Sequence, residues 1–168
     1  MTWPIPTLPT NWSNGSPQVD AHPAAHNAVA DALNEIAARL PVTSTRTFTG
    51  SQDSTTGASY VDWFTIPAIT IPTGTRKLVL LITLSGYYST AALIGQFSAR
   101  LGAGAVSNTQ ATVGFAGASD RQTTHWSAEF ANPTAGAVVP TIAALRLSGT
   151  GVLRVDGSCV AHLVGLFT

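Results

Sequence analysis

Residues 77–88, KLVLLITLSGYY, decide how this chain folds. Leu78, Leu80, Ile82 and Leu84 recur at every second position, the period of a β-strand. The run LVLLITL is apolar on both faces, which places it centrally in a sheet. Gly86 then breaks the strand beside Tyr87 and Tyr88, two neighbours that must point to opposite faces.

The same texture extends outward from this run. Candidate strands cover 45–49, 59–66, 77–88, 93–101, 111–115, 123–130, 141–147, 151–155 and 158–166, punctuated by Gly, Pro, Asn and Ser. The segment THWSAEF, 124–130, alternates less cleanly and belongs nearer a sheet edge. Asp156-Gly157 reads as the two-residue turn of a hairpin joining the last two strands. Eight or nine short strands at this spacing predict a β-sandwich of jelly-roll type over 43–168.

Residues 20–40, DAHPAAHNAVADALNEIAARL, break the β pattern. Asp20 is a good N-cap, Pro23 is tolerated in the first turn, and Pro41 stops the helix. His22, His26, Val29, Leu33, Ile36 and Leu40 are spaced 4, 3, 4, 3, 4, a heptad seam by which identical helices pack. A lone amphipathic helix of this length is marginal in water, so it must lie on its own β-domain or on copies of itself. An oligomerisation helix over 20–41 is the reading taken, with His26, Val29, Leu33, Ile36 and Leu40 in the contact.

Residues 1–19 carry Pro4, Pro6, Pro9 and Pro17, with Trp3 and Trp12 among them. The prolines predict an extended arm. Two tryptophans offer large apolar faces for docking, which makes Trp3 and Trp12 the expected attachment residues.

Composition narrows the function classes. The 168-residue chain is 45% apolar and only 10% charged, with eight basic and eight acidic residues. No basic run exists, so neither nucleic acid nor an anionic membrane is an expected partner. The run Leu78–Ile82 is far short of a membrane span. The N-terminus lacks the basic and apolar regions of a secretion signal. One cysteine, Cys159, allows no internal disulfide and falls in an apolar strand, where a buried inert thiol is expected.

Few residues suggest chemistry. His22 and His26 stand at i and i+4, a spacing that can share a metal, but no third ligand is fixed by sequence. The plainer reading makes them polar seam residues. His125 and His162 sit in strands and read as hydrogen-bonded sheet residues rather than bases. Glu35 and Glu129 are the only glutamates, and no G-x-S-x-G elbow or phosphate-binding loop is present. No catalytic residue and no cofactor is therefore expected. Among the aromatics Tyr60, Trp63, Tyr87, Tyr88 and Trp126, most belong to the core, and the pair Tyr87 and Tyr88 is the best candidate for contacting a glycan.

The segment 11–40 resembles the N-terminus of minor tail and fibre-type virion proteins of tailed bacteriophages. In those proteins a Trp and an Asn-Gly-type turn precede a short helix start. The corresponding residues here are Trp12, Asn14, Gly15, Val19, Asp20, Ala21 and Asn27, with Ala24, Ala25 and His26 alongside. The family's usual spacing has one more residue between His and Asn. The resemblance implies a homotrimeric virion component made in a host cytoplasm and displayed on the virion surface. Its N-terminal part would attach to major capsid or tail proteins and its β-domain would face outward. A capsid decoration or head fibre is expected, because a single compact domain follows the helix. The alternative is a minor tail or baseplate protein whose β-domain binds host-surface carbohydrate.

Overall fold

The structure is a computed structural model that describes residues 21–54, 57–118 and 120–168; side chains of residues 21–25 and 38 are outside that description. Trp3, Trp12, the N-cap at Asp20 and the side chain of His22 thus lie outside the described residues. Contacts divide the chain between Leu40 and Pro41 into two units.

In the first unit, helix α1 spans Ala21–Ala38. Ala, Leu, Glu and Ile supply its propensity. It closes with tightened bonds from Arg39 N to Ile36 O (3.1 Å) and Leu40 N to Ala37 O (3.4 Å). Pro41 follows and cannot continue it.

The second unit is built from β1 (Val42–Thr47), β2 (Gln52–Asp53), β3 (Val61–Thr65), β4 (Ile69–Ile71), β5 (Lys77–Ser89), β6 (Leu93–Leu101), β7 (Ala111–Phe115), β8 (Gln122–Ala131), β9 (Gly136–Val138), β10 (Pro140–Gly149), β11 (Leu153–Val155) and β12 (Val160–Phe167). The residues around Leu78–Leu84 are indeed central: β5 pairs with β12 along one edge and with β8 along the other. Strand β8, which contains THWSAEF, pairs only with β5 and forms an edge.

The Asp156-Gly157 expectation is corrected. Strands β11 and β12 do not form a hairpin; both run antiparallel to β5, end to end along it. Between the pairs Arg154↔Tyr88 and Val160↔Ser85 the chain takes six steps against three in β5. The excess loops out as a tight turn closed by Cys159 N to Asp156 O at 2.8 Å. On the far side β1 and β2 likewise run end to end along β12 and β11. The local turn chemistry was read correctly, but the chain leaves the turn in the direction it entered.

With these end-to-end pairs counted as single strands, the first sheet has four lanes: β1/β2, β12/β11, β5 and β8. The second sheet runs β3-β10-β6-β7, and β4 with β9 forms a small separate ladder. The long strands pair in nested order along the chain. Strand β6 pairs with β7, β5 with β8, β3 with β10, and β1 with β12, all antiparallel.

The two sheets face each other across one core. Leu78, Leu80, Ile82, Leu84 and Leu163 from the first sheet and Phe97, Ile142 and Ala144 from the second are all essentially fully buried. Phe97 sits among three rings: Trp63 at 5.6 Å, Tyr87 at 5.1 Å and Trp126 at 5.6 Å between centroids. Rings from both sheets therefore interlock at the centre.

A β-bulge at Gly86 decides which tyrosine joins that core. Gly86 has φ of +80°, and a Cβ there would meet Ser158 O at 2.9 Å. Register against β8 shifts between Ser85 and Tyr87. Up to Leu84 the even positions face the core; beyond the bulge the odd ones do. Tyr87 is consequently fully buried, which corrects its expected role in glycan contact. Its hydroxyl bonds to Thr124 Oγ1 at 2.6 Å. Tyr88 alone of the pair looks outward.

Candidate functional site

Three surface features stand out among the described residues. The first is on α1. Val29, Leu33, Ile36 and Leu40 are 59%, 47%, 60% and 43% exposed. The helix is nevertheless covered along another stripe, where Asn27, Ala30, Asn34 and Ala37 are partly or fully buried. Asp31 and Glu35 project from the side opposite the seam, and Glu35 pairs with Arg39 at 2.8 Å. The apolar heptad seam is thus an exposed face of α1.

The second surface crosses the outer face of the first sheet where its lanes break. One rung reads Asp53, Arg154, Tyr88, with Arg121 next to it just before β8. Arg121 stacks on the Tyr88 ring, its guanidinium carbon 4.9 Å from the centroid. It donates to Asp156 Oδ2 at 2.6 Å and Oδ1 at 3.2 Å, and to the carbonyl of Gly86. Arg154 makes the matching fork to Asp53, with Nη2 to Oδ2 at 2.7 Å. The Arg121 guanidinium holds the Asp156 carboxyl down to about 2, helped by the amide of Ser158. Arg154 lowers Asp53 in the same way, while burial pushes the Cys159 thiol up. This cluster clasps the out-looped turn to the sheet. Tyr88, half-buried under the Arg121 guanidinium, is the aromatic side chain of this cluster.

The third is a depression of about 440 Å³ between the ends of β5 and β8 and the β6–β7 loop, lined by Arg76, Lys77, Asn108, Thr109 and Glu129. The buried Ser107 fixes its floor. Its hydroxyl accepts from Glu129 N at 3.0 Å and lies 3.2 Å from Glu129 O, so a loop side chain stitches itself to the edge of β8. Lys77 and Glu129 pair across the rim at 2.8 Å.

Other expected residues fall as follows. His26 is exposed on α1. His125 and His162 accept or donate through Nδ1 to Thr83 (2.8 Å) and Thr45 (2.9 Å), in keeping with their reading as sheet residues. Trp63 and Trp126 are in the core, and Cys159 is buried. Tyr60 bonds to Gln110 at 2.7 Å. Among the described residues no three His, Cys, Asp or Glu side chains gather as a metal site, and no helix is long and apolar enough to cross a membrane. Sequence reading missed Arg121, Arg154, Asp53 and Asp156. Arg121 and Asp156 stand 35 residues apart, and no spacing links them.

No protein-family model matches this chain, and no curated protein sequence does. Among solved structures, the chain is similar to one of infectious bursal disease virus, Gx strain. The identity is 14% and the TM-score 0.38, over 77% of this chain and 37% of that one.

Proposed function

We propose that the protein is a structural component of a tailed-bacteriophage virion, a homotrimer joined through the α1 seam. Its arm and helix attach it to the capsid, as a decoration protein or head fibre, and its β-domain faces outward. The observation that carries this reading is the seam itself: four large apolar side chains at heptad spacing on the exposed face of a helix covered elsewhere. The N-terminal resemblance to virion proteins supports the setting. We read the sandwich as a jelly roll, supported by its pairing as a hairpin wound into two sheets of four. No reaction and no cofactor belongs to this proposal.

Attachment falls to the arm, with Trp3 and Trp12 as anchors. Residues 1–19 carry no charged side chain, so binding through them should depend little on salt. The test adds purified protein to particles that lack it and measures occupancy. Wild type should load, Trp3→Ala and Trp12→Ala should load less, and deletion of residues 1–19 should abolish loading while the free oligomer persists. Undiminished loading of the deleted form would move attachment to the β-domain and refute the arm's role.

One observation favours the tail or baseplate alternative, in which the β-domain binds host carbohydrate. Tyr88 lies on an outer face between two forked Arg–Asp pairs, groups that suit sugar faces and hydroxyls. Glycan-array binding that Tyr88→Ala removes would favour this reading; no binding to any glycan would count against it.

A further inference from the structure

We infer that the depression between the ends of β5 and β8 and the β6–β7 loop binds a sugar that carries a single carboxylate, such as a uronic or sialic acid. Cations are scarce in this chain, which has eight. Arg39, Lys77, Arg100, Arg121 and Arg154 are ion-paired. Arg46 donates to Thr65 O and lies over the Phe48 ring. Among the described residues, the side chains of Arg76 and Arg146 alone have neither an acid nor an acceptor. Arg76 lines the depression beside Lys77. Its main chain is pinned on both sides: its amide donates to Thr168 O at 2.7 Å, and its carbonyl accepts from Asn132 N at 2.7 Å. The guanidinium therefore extends from a fixed base with its donors unused.

The facing wall is held as firmly. Ser98 and Ser107 are both buried. The Ser98 hydroxyl lies 2.9 Å from Ser107 O and 2.9 Å from Thr109 O. Ser107 N donates to Ala99 O at 2.8 Å, and its hydroxyl meets Thr109 Oγ1 at 2.9 Å. Asn108 stands between these two tied residues, yet it is exposed and its amide has no partner among the described residues. Two buried serines thus hold a loop whose middle side chain is unpaired. A polar group fixed before its ligand arrives lowers the ordering cost of binding.

The lining selects the ligand. Its charged side chains are Arg76, Lys77 and Glu129, two positive against one negative, which leaves a single surplus positive charge. That suits a monoanion better than a phosphate, which approaches two negative charges at neutral pH. A planar carboxylate also accepts two parallel bonds from a guanidinium. Asn108 and Thr109 add an amide and a hydroxyl, groups that pair with sugar hydroxyls. The volume of about 440 Å³ falls within the range of small-molecule sites, about 300–1,000 Å³. Tyr88 lies at the other end of β5, so this site is separate from the Arg121–Asp156 cluster. It does not depend on the α1 seam.

Ligand-observed NMR titration of the full chain tests this, with glucuronic acid, N-acetylneuraminic acid, glucose, acetate and inorganic phosphate as probes. At least one acidic sugar should bind, and which one does so identifies the source of the carboxylate. Glucose lacks the charge, and acetate and phosphate lack the ring hydroxyls, so each should bind about tenfold more weakly or less. Arg76→Gln should weaken acidic-sugar binding about tenfold and Asn108→Ala several-fold. Neither side chain has a partner to lose, so both variants should unfold at the wild-type midpoint. Binding should weaken as salt rises. Tyr88→Ala should bind as wild type does. No binding of either acidic sugar would overturn the inference. So would acetate, phosphate or glucose binding as tightly, or undiminished binding by Arg76→Gln. Loss of binding in Tyr88→Ala would overturn it too, by moving the sugar to the Arg121–Asp156 cluster.

Discussion

Gly86 and Asp156 show how single residues shape this sheet. Gly86 has a left-handed backbone and a carbonyl where its Cβ would go, so Gly86→Ala meets two penalties at once. We expect a loss of about 1–3 kcal/mol in denaturant unfolding, with the m-value unchanged. Asp156 acts through charge. Its folded value of about 2 lies below the unfolded value of about 3.9. The stabilisation it gives is present above the unfolded value and is lost as pH falls through the folded one. Acid unfolding curves of Asp156→Asn should therefore be flatter than wild type between about pH 4 and pH 2. An unchanged acid profile would mean that the Arg121 clasp contributes nothing to the folded state. Neither residue's role was fully legible beforehand. Gly86 was recognisable as a break, but the phase change it imposes on Tyr87 and Tyr88 depends on how β8 and β12 register on either side.

At the scale of elements, legibility followed length and local pattern. Strands β6 and β7 have the bounds that periodicity predicts, because turn-forming residues flank both. Strands β2, β4 and β9 are two or three residues long and were missed, since so short a run shows no period. The turn at Asp156-Gly157 was visible, but its consequence was not. Whether a tight turn reverses a strand or bulges from it is decided by the neighbouring lanes β1/β2 and β5, not by the two residues. Helix α1 was legible from Ala content and its heptad spacing, though not the covered stripe through Asn27, Ala30, Asn34 and Ala37. The element-level prediction concerns the core. Phe97→Ala, which empties the meeting point of three rings, should cost about 3–5 kcal/mol by thermal or denaturant unfolding. A loss below about 1 kcal/mol would mean that the two sheets are not held together there.

At the scale of the molecule, the chain divides between Leu40 and Pro41 into two compact units. Among the described residues, the buried cluster that runs from Phe48 to Phe167 lies within the second unit. A chain beginning at Pro41 should therefore unfold cooperatively in a single transition; a non-cooperative transition would show that the N-terminal unit completes the core. The exposed seam carries the rest of the account, and sedimentation equilibrium of the full chain at micromolar concentration addresses it most directly. The expected mass is a multiple of 17.3 kDa that falls to one chain in Leu33→Asp. A wild-type chain that sediments as a stable monomer, indistinguishable from Leu33→Asp, would contradict it.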